Sequence, residues 1–352
     1  MLLLFETFQS PNGCIMLSFL LYCFIILCCV HHHVTLKDEE AIPLISKYFN
    51  TKGRYEEVNP YLKQDILAVN RSILQPPSSQ CREIHLTAII RHGTRYPTAK
   101  NINEMQQLHN IVLNNSIGEH SWLREILTQW TMWYIEDMDG RLVQKGVEDL
   151  KHLAIRLTRL FPSMISEEKL RGGLIRFITS SKGRCVNSTL EFWKRGYGHD
   201  INSKSSCILF HDLFSRLDKA ANENKLRQQV SEAVTVQIGH ADTLLPLLTL
   251  LGFFKDTVPL TSTNYASHTQ RSFRTSHMMP YAANFLLVLY DCGEGGIRLQ
   301  PLLNEKPLTF PGLTDQQVSV PLYEDVRKHY RDLLNGCDFE TECQLFNNPA
   351  EV

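Results

Sequence analysis

Short, nearly unbroken apolar runs that end on glycine, histidine or arginine alternate along this chain with stretches in which apolar residues recur every three or four positions. Glu83 to Ile90 (Glu-Ile-His-Leu-Thr-Ala-Ile-Ile) is rich in β-branched residues and predicts a buried strand that delivers Arg91-His92-Gly93 at its carboxyl end. From Val143 to Phe161 the period changes, and Val147, Leu150, Leu153, Ala154, Leu157 and Leu160 form one face of a helix. Leu174 to Thr179 predicts a second strand, running into Ser180-Ser181-Lys182-Gly183-Arg184. Ala233 to Ile238 predicts a third, ending on Gly239-His240, with a helix from Thr243 to Leu251 closed by Gly252. Phe285 to Tyr290 and Ile297 to Leu302 read as strands joined by the turn Gly293-Glu294-Gly295-Gly296, and Tyr323 to Leu334 as a late helix. The alternation predicts an α/β fold, in which ligands bind beyond the carboxyl ends of the strands. Three such ends present His92, Arg184 and His240.

At 352 residues, 43% hydrophobic and 21% charged, the chain has the material for one large domain or a domain with a subdomain. Its 36 Lys and Arg against 37 Asp and Glu leave no general positive field, so nucleic acid is not an expected partner. A polyanion has to be met by a local basic pocket. Cys14 to Val30 carries no charge over 17 residues, the length of a signal peptide's apolar part, so residues 1–30 are expected to be a signal peptide or an N-terminal anchor. Contact with a membrane is expected only if that segment stays uncleaved. The neighbouring His31-His32-His33 tract, with no carboxylate or thiol pattern beside it, reads as solvated rather than metal-binding.

Six cysteines follow, Cys81, Cys185, Cys207, Cys292, Cys337 and Cys343, without the paired spacing of a zinc site. In the secretory pathway they would form disulfides, and Cys337 with Cys343 is the pairing expected from sequence proximity. Sequons at Asn70, Asn114 and Asn187 agree with that compartment.

The strand-end residues suit phosphoryl transfer, which needs fixed cations around three phosphate oxygens and a nucleophile in line with the leaving group. Arg91, Arg95 and Arg184 are candidate phosphate-binding forks. Gly93 lets the backbone approach a ligand, and Pro97 stiffens the loop's exit. His92, between two arginines, is expected to stay neutral with a lone pair free to attack phosphorus. His240 stands at the third strand end. Asp242, two residues on, is the candidate proton donor to the leaving alkoxide. With the arginines supplying the charge, no metal and no other cofactor is expected. The expected partner is a small phosphorylated molecule.

These residues resemble the multiple inositol polyphosphate phosphatases, a branch of the histidine acid phosphatases. The resemblance runs from about Glu83 to Cys343 through the Arg91 to Thr98 loop, Phe177 to Cys185 (FITSSKGRC), Trp193 to Gly198 (WKRGYG), Ile201 to Cys207 (INSKSSC), Gly239 to Gly252 (GHADTLLPLLTLLG), Pro280 to Asn284 (PYAAN) and Leu303 to Leu308 (LNEKPL). It implies a phosphoglycerate mutase-like α/β core with a helical cap, and a phosphohistidine intermediate on His92. It further implies phosphate binding by Arg91, Arg95, Arg184 and His240, and phytate-like substrates, with 2,3-bisphosphoglycerate a further one.

Two departures stand out. The proton donor of this branch is normally Glu in a His-Ala-Glu triplet, and here it is Asp242, one methylene shorter. In the family a long helical segment separates the regions matching Arg184 to Ser188 and Trp193 to Gly198, whereas only Thr189, Leu190, Glu191 and Phe192 lie between them here. Residues 31–352 therefore read as a phosphatase domain with a reduced cap, deleted near 189–192. The rival readings are an impaired or inactive short form that acts as a binding protein, and a general acid phosphatase. The second would more often place its acid directly after the second histidine, where this chain has Ala241. A phosphoglycerate mutase would lack the Arg95 and Pro97 pattern.

Overall fold

The computed structural model describes residues 50–76, 78–115, 121–182, 184–185, 206–258, 267–268, 270–313 and 320–337. The expected leader, the histidine tract, the cap junction, Asn187 and Cys343 lie outside them. In chain order the elements are α1 (Tyr55–Val58), β1 (Arg82–Arg91), α2 (Ala99–Asn115), α3 (Ser121–Gln129), α4 (Gln144–Leu160), α5 (Glu167–Arg171) and β2 (Ile175–Thr179). Then come α6 (Ser206–Lys225), β3 (Val234–Gly239), α7 (Ala241–Leu250), α8 (Thr275–Met278), β4 (Asn284–Asp291), β5 (Ile297–Leu303), β6 (Lys306–Pro307), α9 (Tyr323–His329) and α10 (Arg331–Gly336). The late helix is thus two helices meeting at Tyr330.

The strands form one mixed sheet in the order β2-β3-β1-β4-β5-β6. β2, β3 and β1 are parallel, while β4, β5 and β6 run antiparallel beside them. Alternation along β1 assigns its side chains to two cores. Leu86, Ala88 and Ile90 join Leu150, Leu153 and Leu157 of α4, and Ile89 joins Phe210, Leu213 and Leu217 of α6 and Leu244 and Leu248 of α7. Burial on both faces is why β1 reads as an almost continuous apolar run. The α4 face is core as expected, except that Val147 is only half-buried.

Parallel pairing brings the three site-bearing strand ends abreast. Arg91 is in register with Gly239, and Thr179 with Ile238. The ladder continues past the strands, where the His92 N–H donates to the Gly239 carbonyl at 3.0 Å and the Ser180 N–H to that of Ile238 at 3.2 Å.

Two disulfides, Cys81–Cys292 and Cys207–Cys337, suit an oxidising compartment. The second overturns the expected Cys337–Cys343 bridge. Cys337 caps α10 where that helix meets the first turn of α6, and the His211 Nε2–H donates to the Cys337 carbonyl at 2.8 Å, so spatial adjacency overrides closeness in sequence. The first follows from register, because Arg82 pairs with Asp291 and the residues just outside that pair are Cys81 and Cys292.

The amino-terminal segment is fastened from beneath. Asn304 and Glu305 form the two-residue turn between β5 and β6, both at positive φ (51° and 59°), as a tight hairpin turn requires. Glu305 is buried and takes three short bonds from Arg156 and one of 2.8 Å from the Tyr55 hydroxyl, which itself accepts from Asn284 Nδ2 at 2.9 Å. α1 is held to the sheet through this group.

Candidate active site

Every site residue expected from sequence sits at the carboxyl end of the parallel strands. Arg91 ends β1, His92 follows it, Arg184 follows β2, and His240 follows β3 as the N-cap of α7. α7 begins at Ala241 rather than Thr243, so Asp242 lies within its first turn instead of before it. Gly252 closes that helix at φ 77° as expected.

The loop after β1 is clamped onto α4. A side-chain carbon at Gly93 would stand 2.2 Å from the Gly146 carbonyl oxygen, and one at Gly146 would stand 2.0 Å from that of Thr94. The glycine that the sequence suggested for close approach to a ligand is therefore required first by the helix. Thr94 Oγ1 donates to Asp149 Oδ2 at 2.9 Å, and Lys145 ties Asp149 (2.7 Å) to Glu56 (2.5 Å). On the other side the Arg91 N–H donates to the Ala283 carbonyl (2.7 Å) and the Ala282 N–H to that of His92 (3.2 Å).

His92, 3% exposed, has one ring nitrogen committed: Nδ1–H donates to the Gly93 carbonyl at 2.8 Å. That bond fixes the tautomer and leaves the Nε2 lone pair unprotonated. Burial, then the charges of Arg91 and Arg184, push the His92 pKa down to about 2. His240 is held down to about 4 by burial and then by Arg184, Arg91 and Arg95, and Asp242 partly offsets them. Its ring stands edge-on to His92 with centroids 5.4 Å apart, and its Nε2 lies 3.0 Å from Ser180 Oγ. Burial and the neighbouring arginines thus favour the neutral form of both imidazoles.

Arg91 and Arg95 are each anchored to backbone carbonyls through Nη1. Arg91 uses Nη1 alone to donate to the carbonyls of Thr51 (2.5 Å) and Met279 (2.7 Å), with its guanidinium 4.4 Å from the centre of the Tyr281 ring. Arg95 donates through Nη1 to the Tyr96 carbonyl at 2.7 Å. In Arg91, Arg95 and Arg184 alike the Nε is buried without a hydrogen-bond partner among the described residues. A buried unmatched donor is costly, and here three of them fall within one cluster of like charges. Burial lowers the Arg91 pKa to about 10 and lowers that of Arg184, with Arg95 adding repulsion to both.

Asp242 is exposed in the first turn of α7, and its charge acts on His240, Arg91 and Lys52. Two residues of the site were not foreseen. Tyr281 lies under Arg91 and 5.9 Å from His92, and Lys52 feels the charges of Arg95, Arg91 and Arg184. Tyr281 falls inside the PYAAN motif and so carried a signal. Lys52 lies in a short polar segment that has none. Among the described residues no group of three or more His, Cys, Asp or Glu is arranged to hold a metal ion.

A family profile described as "Histidine phosphatase superfamily (branch 2)" matches residues 84–194 and 186–306. The chain belongs to this superfamily. Multiple inositol polyphosphate phosphatase 1 of Homo sapiens is 32% identical over 444 residues, covering 86% of this chain and 89% of the human one. That of Gallus gallus is 30% identical, covering 85% and 92%. Among solved structures, the phytase from D. castellii matches with a TM-score of 0.59 at 11% identity, over 77% of this chain and 83% of that one. The apo multiple inositol polyphosphate phosphatase of Bifidobacterium longum matches at 0.51 and 12%, over 71% and 92%. These two establish the histidine phosphatase fold, and family membership makes the chain a phosphatase.

Proposed function

We propose that this histidine phosphatase hydrolyses inositol polyphosphates through a phosphohistidine on His92. The observation that carries the chemistry is the paired arrangement of one imidazole locked by its Nδ1–H bond and three arginines with unmatched buried Nε donors. The substrate class rests on the relatives of Homo sapiens and Gallus gallus, of which the chain spans most.

The substrate phosphate lies on the open edges of Arg91, Arg95 and Arg184, with His240 as a further donor. Nε2 of His92 attacks phosphorus, the N–P bond forms and the ester P–O bond breaks. The departing alkoxide takes its proton from the Asp242 carboxyl. The Gly93 carbonyl, already accepting from Nδ1, stabilises the positive charge of the phosphorylated ring. Water then attacks phosphorus and gives its proton to the Asp242 carboxylate. The N–P bond breaks, inorganic phosphate leaves, and His92 returns neutral. Asp242 reaches one methylene less far than the Glu of the family triplet, which lengthens this proton path. Asp242→Glu is therefore expected to raise turnover rather than lower it.

A reduced cap is part of this reading. The family match falls in two pieces that overlap at 186–194, and the alignment with the human relative runs over 444 residues, more than the 352 of this chain. Leu108, Ile111, Leu113, Trp133 and Ile135, on and near α2 and α3, are 46–59% exposed, as apolar surface next to a shortened cap would be. The secretory pathway, whether endoplasmic reticulum lumen, outside the cell or membrane-anchored, is the compartment proposed from the cysteines and the leader-like segment.

The test is phosphate release from inositol hexakisphosphate and from a small aryl phosphate by the full chain, after a cooperative melt confirms folding. The reacting phosphate sits on the core, whereas the other phosphates gain from the cap. Grafting a full-length family cap between Leu190 and Glu191 is therefore expected to raise the hexakisphosphate-to-aryl ratio of kcat/KM. An unchanged ratio removes the cap as the source of selectivity. Binding of hexakisphosphate without release selects the second reading, an inactive binding form, which the missing alignment length favours.

A further inference from the structure

Lys52 belongs to the short 3-10 turn Asn50–Lys52, which no motif singled out. The backbone on both sides of it is fastened to the site. The Thr51 carbonyl accepts from Arg91 Nη1 at 2.5 Å, and the Gly53 carbonyl accepts from the Tyr281 N–H at 3.0 Å. Two residues later Tyr55 is buried on Glu305, so the turn cannot shift without breaking the buried group beneath it. Lys52 is thus presented to the arginine cluster by a fixed backbone, not by a swinging loop.

The side chain itself is exposed, whereas Arg91 and His92 are each 3% exposed. Its backbone neighbours Thr51 and Gly53 are bonded to Arg91 and Tyr281, so the exposed side chain starts from the edge of the buried cluster. Among the described residues its ammonium makes no ion pair. Partial burial, then Arg95 and Arg91, lower its pKa, with Asp242 opposing and Arg184 adding to the repulsion. A cation under the repulsion of three others is unfavourable for the unliganded fold, and among the described residues no ion pair gives the charge a structural task.

We propose that Lys52 is a specificity-determining residue that contacts a phosphate other than the reacting one, favouring substrates that carry several phosphates. The proposal rests on the phosphate-site reading above and deepens it. A single phosphate on His92 is served by the buried forks and leaves the rim unused. A ring bearing further phosphates projects one of them toward the mouth, where the ammonium meets it. The contact is carried by the core and does not depend on the cap.

Equilibrium binding by calorimetry tests this without relying on turnover. The full chain, Lys52→Met and Lys52→Arg are titrated with myo-inositol hexakisphosphate and with inorganic phosphate at physiological ionic strength, where distant charges are screened beyond about 8 Å. The methionine keeps the apolar stem, and an exposed site leaves folding intact, which a melt checks. Expected is a loss of about tenfold in hexakisphosphate affinity for Lys52→Met, about 1.4 kcal/mol, with inorganic phosphate weakened about twofold or less and Lys52→Arg restoring most of the loss. Equal weakening of both ligands assigns Lys52 to the reacting phosphate and overturns the proposal. So does no change in either. If the unmutated chain fails to bind inorganic phosphate at all, the site reading itself falls, and Lys52's role with it.

Discussion

Arg156 and Arg91 are buried to nearly the same depth, 1% and 3% exposed, yet their surroundings are opposite. Arg156 is saturated. Its Nε and Nη2 bind Glu305 at 2.8 to 3.0 Å and its Nη1 donates to the Ile66 carbonyl at 2.9 Å. Burial alone would lower its pKa, but the Glu305 charge and hydrogen bonds raise it. Arg91 has two backbone carbonyls on one nitrogen, an unmatched Nε, and like charges for neighbours, and its pKa falls to about 10. The first arginine holds the structure together; the second is held by the structure for something else. Burial of an arginine does not distinguish the two roles, whereas the balance of its partners does.

Breaking each in turn should give opposite signatures. Arg156→Met leaves Glu305 buried without its counter-charge, in a turn already at positive φ, and is expected to cost about 3–5 kcal/mol of stability in urea unfolding. Phosphate affinity of the folded fraction should change little. A loss under about 1 kcal/mol would mean that the pair is not the anchor described here. Arg184→Met should do the reverse. Inorganic phosphate binding should weaken about tenfold to a hundredfold, as for a charge-assisted contact worth roughly 1.5–3 kcal/mol. The melting temperature should hold or rise as like-charge repulsion with Arg95 is relieved. A melting temperature that falls as in Arg156→Met would place Arg184 among the structural arginines.

A smaller effect separates core from site through pH. His85 is fully buried with both ring nitrogens used, Nδ1–H donating to the Glu232 carbonyl at 2.6 Å and Nε2 accepting from Thr87 Oγ1 at 2.8 Å. Burial lowers its pKa from about 6.5 to about 4. In the unfolded chain it binds a proton near pH 6.5, and in the folded chain only near 4. Its stability contribution is therefore complete above about 6.5 and is lost as pH falls through that window, by up to about 1.4 kcal/mol per pH unit. His92 and His240, also depressed, act in the same direction unless phosphate is bound. Melts between about pH 7 and about pH 4.5 should show a falling midpoint, recovered in part by phosphate. A flat profile would mean that the folded state accepts these protons.

How much of this was legible in the sequence depended on whether a feature is local. β1, β2, β3, α4 and the placement of the strand-end residues were, because apolar runs followed by arginine, histidine or glycine encode both the strand and where it ends within a few positions. α6 was not read from the sequence, although Phe210, Leu213, Phe214, Leu217 and Ala221 recur at helical spacing. Lys52 was not legible, since its placement depends on bonds from Thr51 to Arg91 and from Gly53 to Tyr281, far along the chain. The Arg156 and Glu305 pair spans 149 positions for the same reason. Cys207–Cys337, 130 positions apart, defeated the expectation of a short loop because two helix ends meet in space.

The claim on which the rest depends is that Nε2 of His92 receives the phosphoryl group. The most direct measurement mixes the full chain with excess radiolabelled phosphomonoester, stops the reaction within milliseconds in alkaline denaturant, and maps the labelled peptide by mass spectrometry. The account predicts label on His92 approaching one per chain, released by acid and stable in base, and absent with turnover abolished in a folded His92→Ala variant. Label on another residue, or continued turnover by that variant, would contradict it.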